Sequence, residues 1–539
     1  MRLRYTLVSD WPPLAWLARC RPGAPEIDVF HGPRVELAAD WFCEAVWDGS
    51  FADGDFDRTD LVFGSGARAR ESDGVCFVSS GSTVDRLQSI DAGDASWVSN
   101  SLPCLLGSVG ATLDPTYPGY FTDLKSVSKG LGRYTRQLST SAGPVQLTYY
   151  HNLRWDGTRL IETPKRPGLK GGGGAFGTFA DYRGFLAGTI GRLAENMEAP
   201  SRVERYRLLG TISSGYDSAA AAALARPHGL TEAISFGSAS SGEPDSGEII
   251  ADVLGVRLTI LARHAWRAAS FAEVPFVAAD AKGEDVYFKG AETQLARRVL
   301  LTGFHGDRVW DRAARTDADF VRGDQSGLSL SEYRLWAGFL HCPLPFAGGR
   351  QAASIRAVSR SRELAPWHTG SYYSRPICRR ILEEAGVPRD AFGRWKKSVS
   401  VLFSAQEGFL TPASLSDYGF WLERHADEWR RRGLFPPTLA EGADLWRDSR
   451  YALARVLEGL AHVAPRRLWM LRSAAQRVVT LGRRERLFRH LFPWAMERAK
   501  QRYATAPLDE PPPRRAPRSP PSHERSAVEA SLTAARALG

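Results

Sequence analysis

The stretch "YRLLGTISSGYDSAAAAALARP" runs from Tyr206 to Pro227. An aliphatic run stops at a small polar loop, and an alanine-rich segment with helical spacing follows. Three more strand-like runs come after it: "EAISFG", "VRLTILAR" and "RVLLTG". The stretches between the four runs, "DSAAAAALARPHG", "PDSGEIIADVLG" and "GAETQLARR", read as helices. Strands alternating with helices at this spacing predict a parallel sheet with crossover helices. In such a sheet ligands bind beyond the carboxyl ends of the strands. Residues 213–218 fall at such an end.

The loop chemistry suits an anion. A helix N-terminus offers unpaired N–H groups and partial positive charge, Gly215 lets backbone approach, and Ser213, Ser214 and Ser218 add hydroxyl donors. Asp217 would repel phosphate unless a divalent cation lies between them, and Mg²⁺ takes oxygen ligands from both. A plain helix start, capped by Asp217 or Ser218, is the bland alternative. The loop lacks the GxxxxGK[ST] pattern of Walker-type sites.

The 539 residues suggest two or three domains, and the net charge is +10. Basic residues are concentrated between Arg466 and Arg502, which is read first as a solvated helix face. None of the six cysteines forms a CxxC pair or zinc spacing, so neither a disulfide framework nor a metal knuckle is expected. Asp10 and Pro12–Pro13 interrupt any signal-peptide core, and no apolar run approaches the roughly 20 residues of a membrane span. A cytoplasmic protein without a transmembrane segment is expected. The glycine-rich "GLKGGGGAFG" (Gly168–Gly177) reads as a hinge, and "FADYRGFLAGTIGRLAENMEA" after it as a helix. Upstream, "DLVFGSGARA" and "VQLTYYHNLRW" are β-rich, whereas the Pro/Arg-rich end reads as disordered. The resulting division is 1–185, 186–505 and a tail at 506–539.

"SSGYDS" resembles the SGGxDS pyrophosphate loop of the ATP pyrophosphatases. "VLLTGFHGDRVWD" (Val299–Asp311) resembles the LSGxGxDE segment of asparagine synthetases and β-lactam synthetases, and "FGRWKKSVSVL" (Phe392–Leu402) resembles their R-x-K segment. The resemblance covers roughly residues 190 to 400. It implies an α/β fold: a PP-loop, adenine nucleotide alpha hydrolase-like synthetase domain behind a β-rich α+β N-terminal domain. It also implies ATP bound by Ser213, Ser214, Gly215, Tyr216, Asp217, Ser218, Gly303 and Arg308. Mg²⁺ would be shared by Asp217 and Asp307, and Lys396 would steady the adenylate, with Lys397 as its rival.

Several positions depart from the family. Ser214 replaces its first loop glycine. Phe304 stands where a glutamate or tyrosine helps deprotonate the amine, and a phenyl ring transfers no proton. His305 beside it is the substitute base, with Glu332 a second catalytic candidate. Arg308 replaces the final glutamate and offers a fork suited to phosphate. Arg375, Arg379 and Arg380 form a cluster suited either to an acidic substrate or to pairing with Glu383 and Glu384. The first cysteine is Cys20, so the N-terminal domain reads as a degenerate glutaminase layer without glutaminase activity. The expected function is an AMP-forming ligase joining a small carboxylate to ammonia or an amine. A catalytically degenerate ATP-binding scaffold and a tRNA-modifying ATP pyrophosphatase are the alternatives. No stable nucleic-acid complex is expected, and a homodimer is left open.

Overall fold

A computed structural model of the chain describes residues 1–504, apart from 71–73, 167–174, 241, 315–319, 372, 395–396, 402–409 and all but a few isolated positions of 438–486. The hinge glycines before Gly177, the tail and Lys396 therefore lie outside the described residues. The rest belongs to one unit, Met1–Ala504.

The β-rich portion forms two sheets. In one, seven strands run in the order Arg2–Leu7, Glu26–His31, Trp16–Cys20, Ala95–Ser99, Arg86–Ala92, Gly143–Tyr149, Gln137–Thr140. Only its first pair is parallel. The other sheet has six strands from Leu160–Thr163 to Glu36–Leu37, all antiparallel. Trp16, Phe42, Phe77 and Trp155 fill a core shared by the two sheets. Trp16 stacks on Phe77 at 6.1 Å and meets Phe42 edge-on at 5.1 Å. Cys20 is buried in that core, and burial pushes its thiol far up, so it is held as SH.

Helix α1 (Phe179–Met197) begins with a capping box, Thr178 and Asp181 each bonding the other's backbone N–H. Its buried face, with Leu186 and Ile190, joins Val46 and Phe63 of the six-stranded sheet in a second core that extends into the following α/β layer. That layer is a five-stranded, all-parallel sheet: β1 (Arg207–Thr211), β2 (Glu232–Phe236), β3 (Arg257–Leu261), β4 (Arg298–Thr302) and β5 (Leu340–Pro343). The spatial order is β3-β2-β1-β4-β5. The chain is thus mixed α/β, with a β-rich region followed by a parallel sheet. β1 to β4 are the four strands read from sequence; β5 was not among them.

Helix α2 (Asp217–Ala225) is buried from Ala219 to Ala225. A helix covered on all sides needs small apolar residues throughout, which accounts for its alanines. Helices α3 (Glu248–Leu254), α4 (Val274–Asp280), α5 (Leu330–Ala337), α6 (Pro376–Glu384) and α7 (Pro412–Arg431) follow, and α8 (Leu491–Lys500) closes the layer. α8 belongs to the basic run, yet most of it is buried. Trp494 Nε1 donates to Asp417 at 2.8 Å and Arg498 pairs with the same carboxylate. The solvated-face reading therefore fails for this helix, because its apolar side is core.

Candidate functional site

With strand order 3-2-1-4-5, successive connections leave β1 in opposite directions, and the crevice between β1 and β4 is the topological switch point of the sheet. The loops leaving β1 and β4 meet there. A Cβ added at Gly303 would lie 2.5 Å from both Asp217 Cβ and Ser218 N, and one at Gly306 would lie 2.6 Å from Asp217 Cγ. Only glycine lets these two loops touch.

Around the contact lies a cavity of ≈ 190 Å³. Ser213, Gly215, Tyr216, Asp217, Ser218, Gly303, His305 and Asp307 line it, together with Arg375 and Lys397. The loop is internally braced: Ser213 Oγ sits 3.2 Å from Ser218 Oγ and accepts from Gly215 N at 3.2 Å. No side chain caps α2, so the bland reading of Asp217 or Ser218 as a cap is not what the structure contains. Tyr216 is fully buried beneath the loop; its hydroxyl accepts from Arg379 at 2.7 Å and its ring packs on Tyr373.

Two residues expected to bind the nucleotide, Ser214 and Arg308, take other places. Ser214 turns from the cavity, its N–H and hydroxyl both donating to Asp245 Oδ1 at 3.0 and 2.5 Å. Asp245 also lines the cavity, and sequence reading did not single it out. Arg308 is not in the lining either: its Nε and Asp307 Oδ2 lie against Gly323. Lys397 reaches the loop where Lys396 is undescribed. Its ammonium donates to Pro244 O at 2.6 Å and Ser214 Oγ at 3.2 Å. The segment carrying it is docked by Gly393 N–H donating to Ser214 O at 2.9 Å. Gly393 has φ +66°, and a Cβ there would lie 2.5 Å from Tyr216 Cε1 and nearer still to Cζ. A second cleft of ≈ 380 Å³ adjoins, sharing Asp245 and Lys397 and including Ile249, Ala391 and Phe392.

The arginine cluster divides. Arg380 pairs with Glu384 and Glu363, and Arg379 with Glu383 and Tyr216. Arg375, at the start of α6, is buried and pairs with Asp217. Cys378 Sγ lies 3.9 Å from the other Asp217 oxygen, and burial pushes this thiol up to about 12.

The two catalytic candidates are also placed apart. Glu332 does not reach the cavity. It is buried on α5, where Oε1 accepts from Ser101 Oγ (3.1 Å), Trp336 Nε1 (2.9 Å) and Tyr503 OH (2.5 Å). That network fastens three distant parts of the chain, which corrects its assignment as a catalytic glutamate. His305 does line the cavity, with φ +76° and its ring stacked on Phe346 at 4.5 Å. Burial, then Arg322, Arg308 and Arg356, hold it far below the ordinary imidazole range. It is neutral near pH 7 and a weaker base than a solvated histidine.

Does this set fit a divalent cation? Asp217 and Asp307 line one cavity, while no group of three His, Cys, Asp or Glu donors gathers among the described residues. Mg²⁺ is commonly held by one or two carboxylates with phosphate and water oxygens completing the shell. The pair fits an ion that arrives with a polyphosphate, in exchange for Arg375 on Asp217.

Fold and site together define a mixed α/β protein with a polar cavity, lined by Asp217, Asp245, Asp307 and Asp324 with Arg375 and Lys397, at the switch point of its parallel sheet. No family model matches the chain, and no curated protein matches it. No described helix is long and apolar enough to cross a membrane.

Proposed function

We propose that the chain is an ATP-dependent, amide-forming ligase of the asparagine synthetase and β-lactam synthetase type, built on a PP-loop fold. One observation carries the reading: Ser213 and 215–218, 303–305 with Asp307, and 397–400, far apart in sequence, line one cavity at the switch point.

In this reading the β- and γ-phosphates of ATP lie at the uncapped start of α2, where Ser213, Gly215 and Ser218 donate to them. Asp217 and Asp307 would hold Mg²⁺, which neutralises charge on the polyphosphate. The neighbouring cleft, with Ile249 and Phe392, receives the nucleoside. Lys397 sits between the two clefts and steadies charge developing at the α-phosphate. A substrate carboxylate attacks the α-phosphorus, pyrophosphate leaves, and an acyl-adenylate remains. Ammonia or an amine then attacks the acyl carbon and AMP departs. Lys397 takes the role the family gives its R-x-K lysine, because its ammonium reaches the loop.

The test is product identity from Mg·ATP over a panel of carboxylates and amines, comparing wild type with Asp217→Ala. AMP with pyrophosphate is expected, falling about 100-fold or more in the variant, as for removal of a transition-state contact. ADP with phosphate would overturn the mechanism. A second reading, an ATP-binding scaffold without turnover, draws on the Arg375–Asp217 pair and on Phe304 in the base slot. It predicts calorimetric binding of Mg·ATP with no AMP formed.

A further inference from the structure

The two sheets of the β-rich portion share a core, and beside that core their facing surfaces turn polar. Successive residues of a strand point to opposite faces, so the face that carries Leu87 into the core also carries Ser89 and Asp91. On the neighbouring strand Thr148 stands opposite Leu87 and Gln146 opposite Ser89. Across the gap, Leu153 and Trp155 of the six-stranded sheet belong to the same core, and their cross-strand partners Glu162 and Leu160 share their face.

The inner faces of a sandwich ordinarily interdigitate as apolar core. Here Ser89, Asp91, Gln146, Thr148 and Glu162 line a cavity of ≈ 760 Å³ instead. It shares no lining residue with the switch-point cavity. Nor does it lie at the seam with the α/β layer. The strand Arg86–Ala92 meets that seam at its start, where Arg86 Nη2 donates to Ala279 O of α4 at 2.7 Å. Asp91, at the cavity, is about 17 Å further along at 3.4 Å per residue.

The lining is built for a polar ligand without net charge. Ser89 and Thr148 are 4% and 2% exposed, yet no described residue hydrogen-bonds their hydroxyls. Buried hydroxyls seldom stay unpaired. Glu162 is fixed in place: Oε1 lies 2.5 Å from His151 Nδ1, and Oε2 accepts from Arg136 Nη1 at 2.6 Å. The lining charges are answered within the protein, Arg136 by Glu162, Arg159 by Asp156 and Asp94 by Arg21. An ionic ligand would find its counter-charge already engaged, and an apolar one would leave the two hydroxyls unpaired.

A molecule rich in hydroxyls meets both conditions. Each of its hydroxyls can donate to Glu162 or Asp91, accept from Arg136, or do either with Ser89, Gln146 and Thr148. Pro22, Pro144 and Leu160 add an apolar wall for its C–H groups. We propose that this cavity binds a neutral saccharide, as a free sugar or as the end of a glycan chain. The volume lies within the range of small-molecule sites.

The test is calorimetric titration of the full chain with glucose, galactose, mannose and N-acetylglucosamine, and with a disaccharide of each. At least one is expected to bind. Ser89→Ala and Thr148→Val each remove one hydroxyl with little change of shape and should weaken binding about 3–10-fold, and Glu162→Gln about tenfold or more. If Thr148→Val does not fold, Ser89→Ala decides. Affinity that rises from mono- to disaccharide identifies a glycan chain, and equal affinity a free sugar. No sugar bound across the panel overturns the proposal, as does binding that both hydroxyl variants leave unchanged. Glucosamine or glucuronate bound more than tenfold tighter than glucose would overturn the neutral class. Loss of the sugar in Asp217→Ala would move it to the switch-point cavity and overturn the site. None of these readouts requires turnover, so they stand or fall apart from the ligase reading.

Discussion

Arg322 and Arg334 are both buried in one stretch of chain, yet their surroundings are opposite in kind. Arg334, on α5, has every nitrogen paired: Nε to Asp85 at 2.9 Å, and Nη1 and Nη2 to Glu44 at 2.5 and 3.1 Å. Glu44 also accepts from Ser65 Oγ and Asn100 Nδ2, at 2.5 and 3.2 Å. Only Asp85 Oδ2 is left over among the described residues. This cluster joins the six-stranded sheet to the α/β layer, and Glu332 extends it two residues away. Around Arg322 the orphans outnumber the bonds: Nη2 donates to Ser326 O, and Nε and Nη1 have no partner among the described residues. A seam that only holds layers together can be closed when the chain folds.

The comparison breaks most visibly at Arg334. Arg334→Met leaves Glu44 and Asp85 as buried, uncompensated charges, and should cost about 3–5 kcal/mol, read as a lowered denaturant midpoint. Adding Glu44→Met should recover part of that loss, because the pair is then replaced by apolar volume. A Glu44 change that deepens the loss would contradict the closed-network account.

Gly393→Ala comes next. The left-handed backbone and the Tyr216 ring both oppose a side chain there. The expected cost is about 1–3 kcal/mol, with weaker ATP binding because Lys397 shifts. Unchanged nucleotide affinity would remove Lys397 from the site. Arg322→Met should cost about 1 kcal/mol or less, the value of its one backbone bond. A loss as large as that at Arg334 would mean the Arg322 layer is structural.

Sequence periodicity disclosed much of the α/β layer and the loop at Ser213–Ser218, since long aliphatic runs and an alanine helix carry strong local signals. It missed β5 because Leu340–Pro343 is four residues within "FLHCPLPF", where strand and helix look alike. Asp245 was passed over for another reason. It falls in "PDSGEIIADVLG", which reads as a helix, and its bonds to Ser214 cross between two loops that only the sheet brings together. Glu332 was misplaced because a carboxylate near the family's base position says nothing of Tyr503, whose hydroxyl reaches it from the far end of the chain. Arg375 stood among three arginines, and spacing alone does not tell which one turns inward.

The last expected effect concerns pH. Burial first, and then Glu284, push the Asp280 carboxyl up to about 7, and burial with Glu284 pushes Asp285 up to about 8. Unfolded, such groups titrate near 3.9. Between those values the folded chain holds protons that the unfolded chain has released, so stability falls as pH rises from about 4 to 8. The slope approaches about 1.4 kcal/mol per pH unit for each such proton and fades as the pH reaches the folded-state values. Asp280→Asn keeps an oxygen for the Lys282 and Gly283 amides, each now at 2.8 Å, but does not ionise. Denaturant midpoints at pH 5.5 and 7.5 should therefore differ less in the variant than in wild type. An unliganded wild type with no such slope would mean these carboxyls are already compensated, and the contrast with the Arg334 seam would disappear.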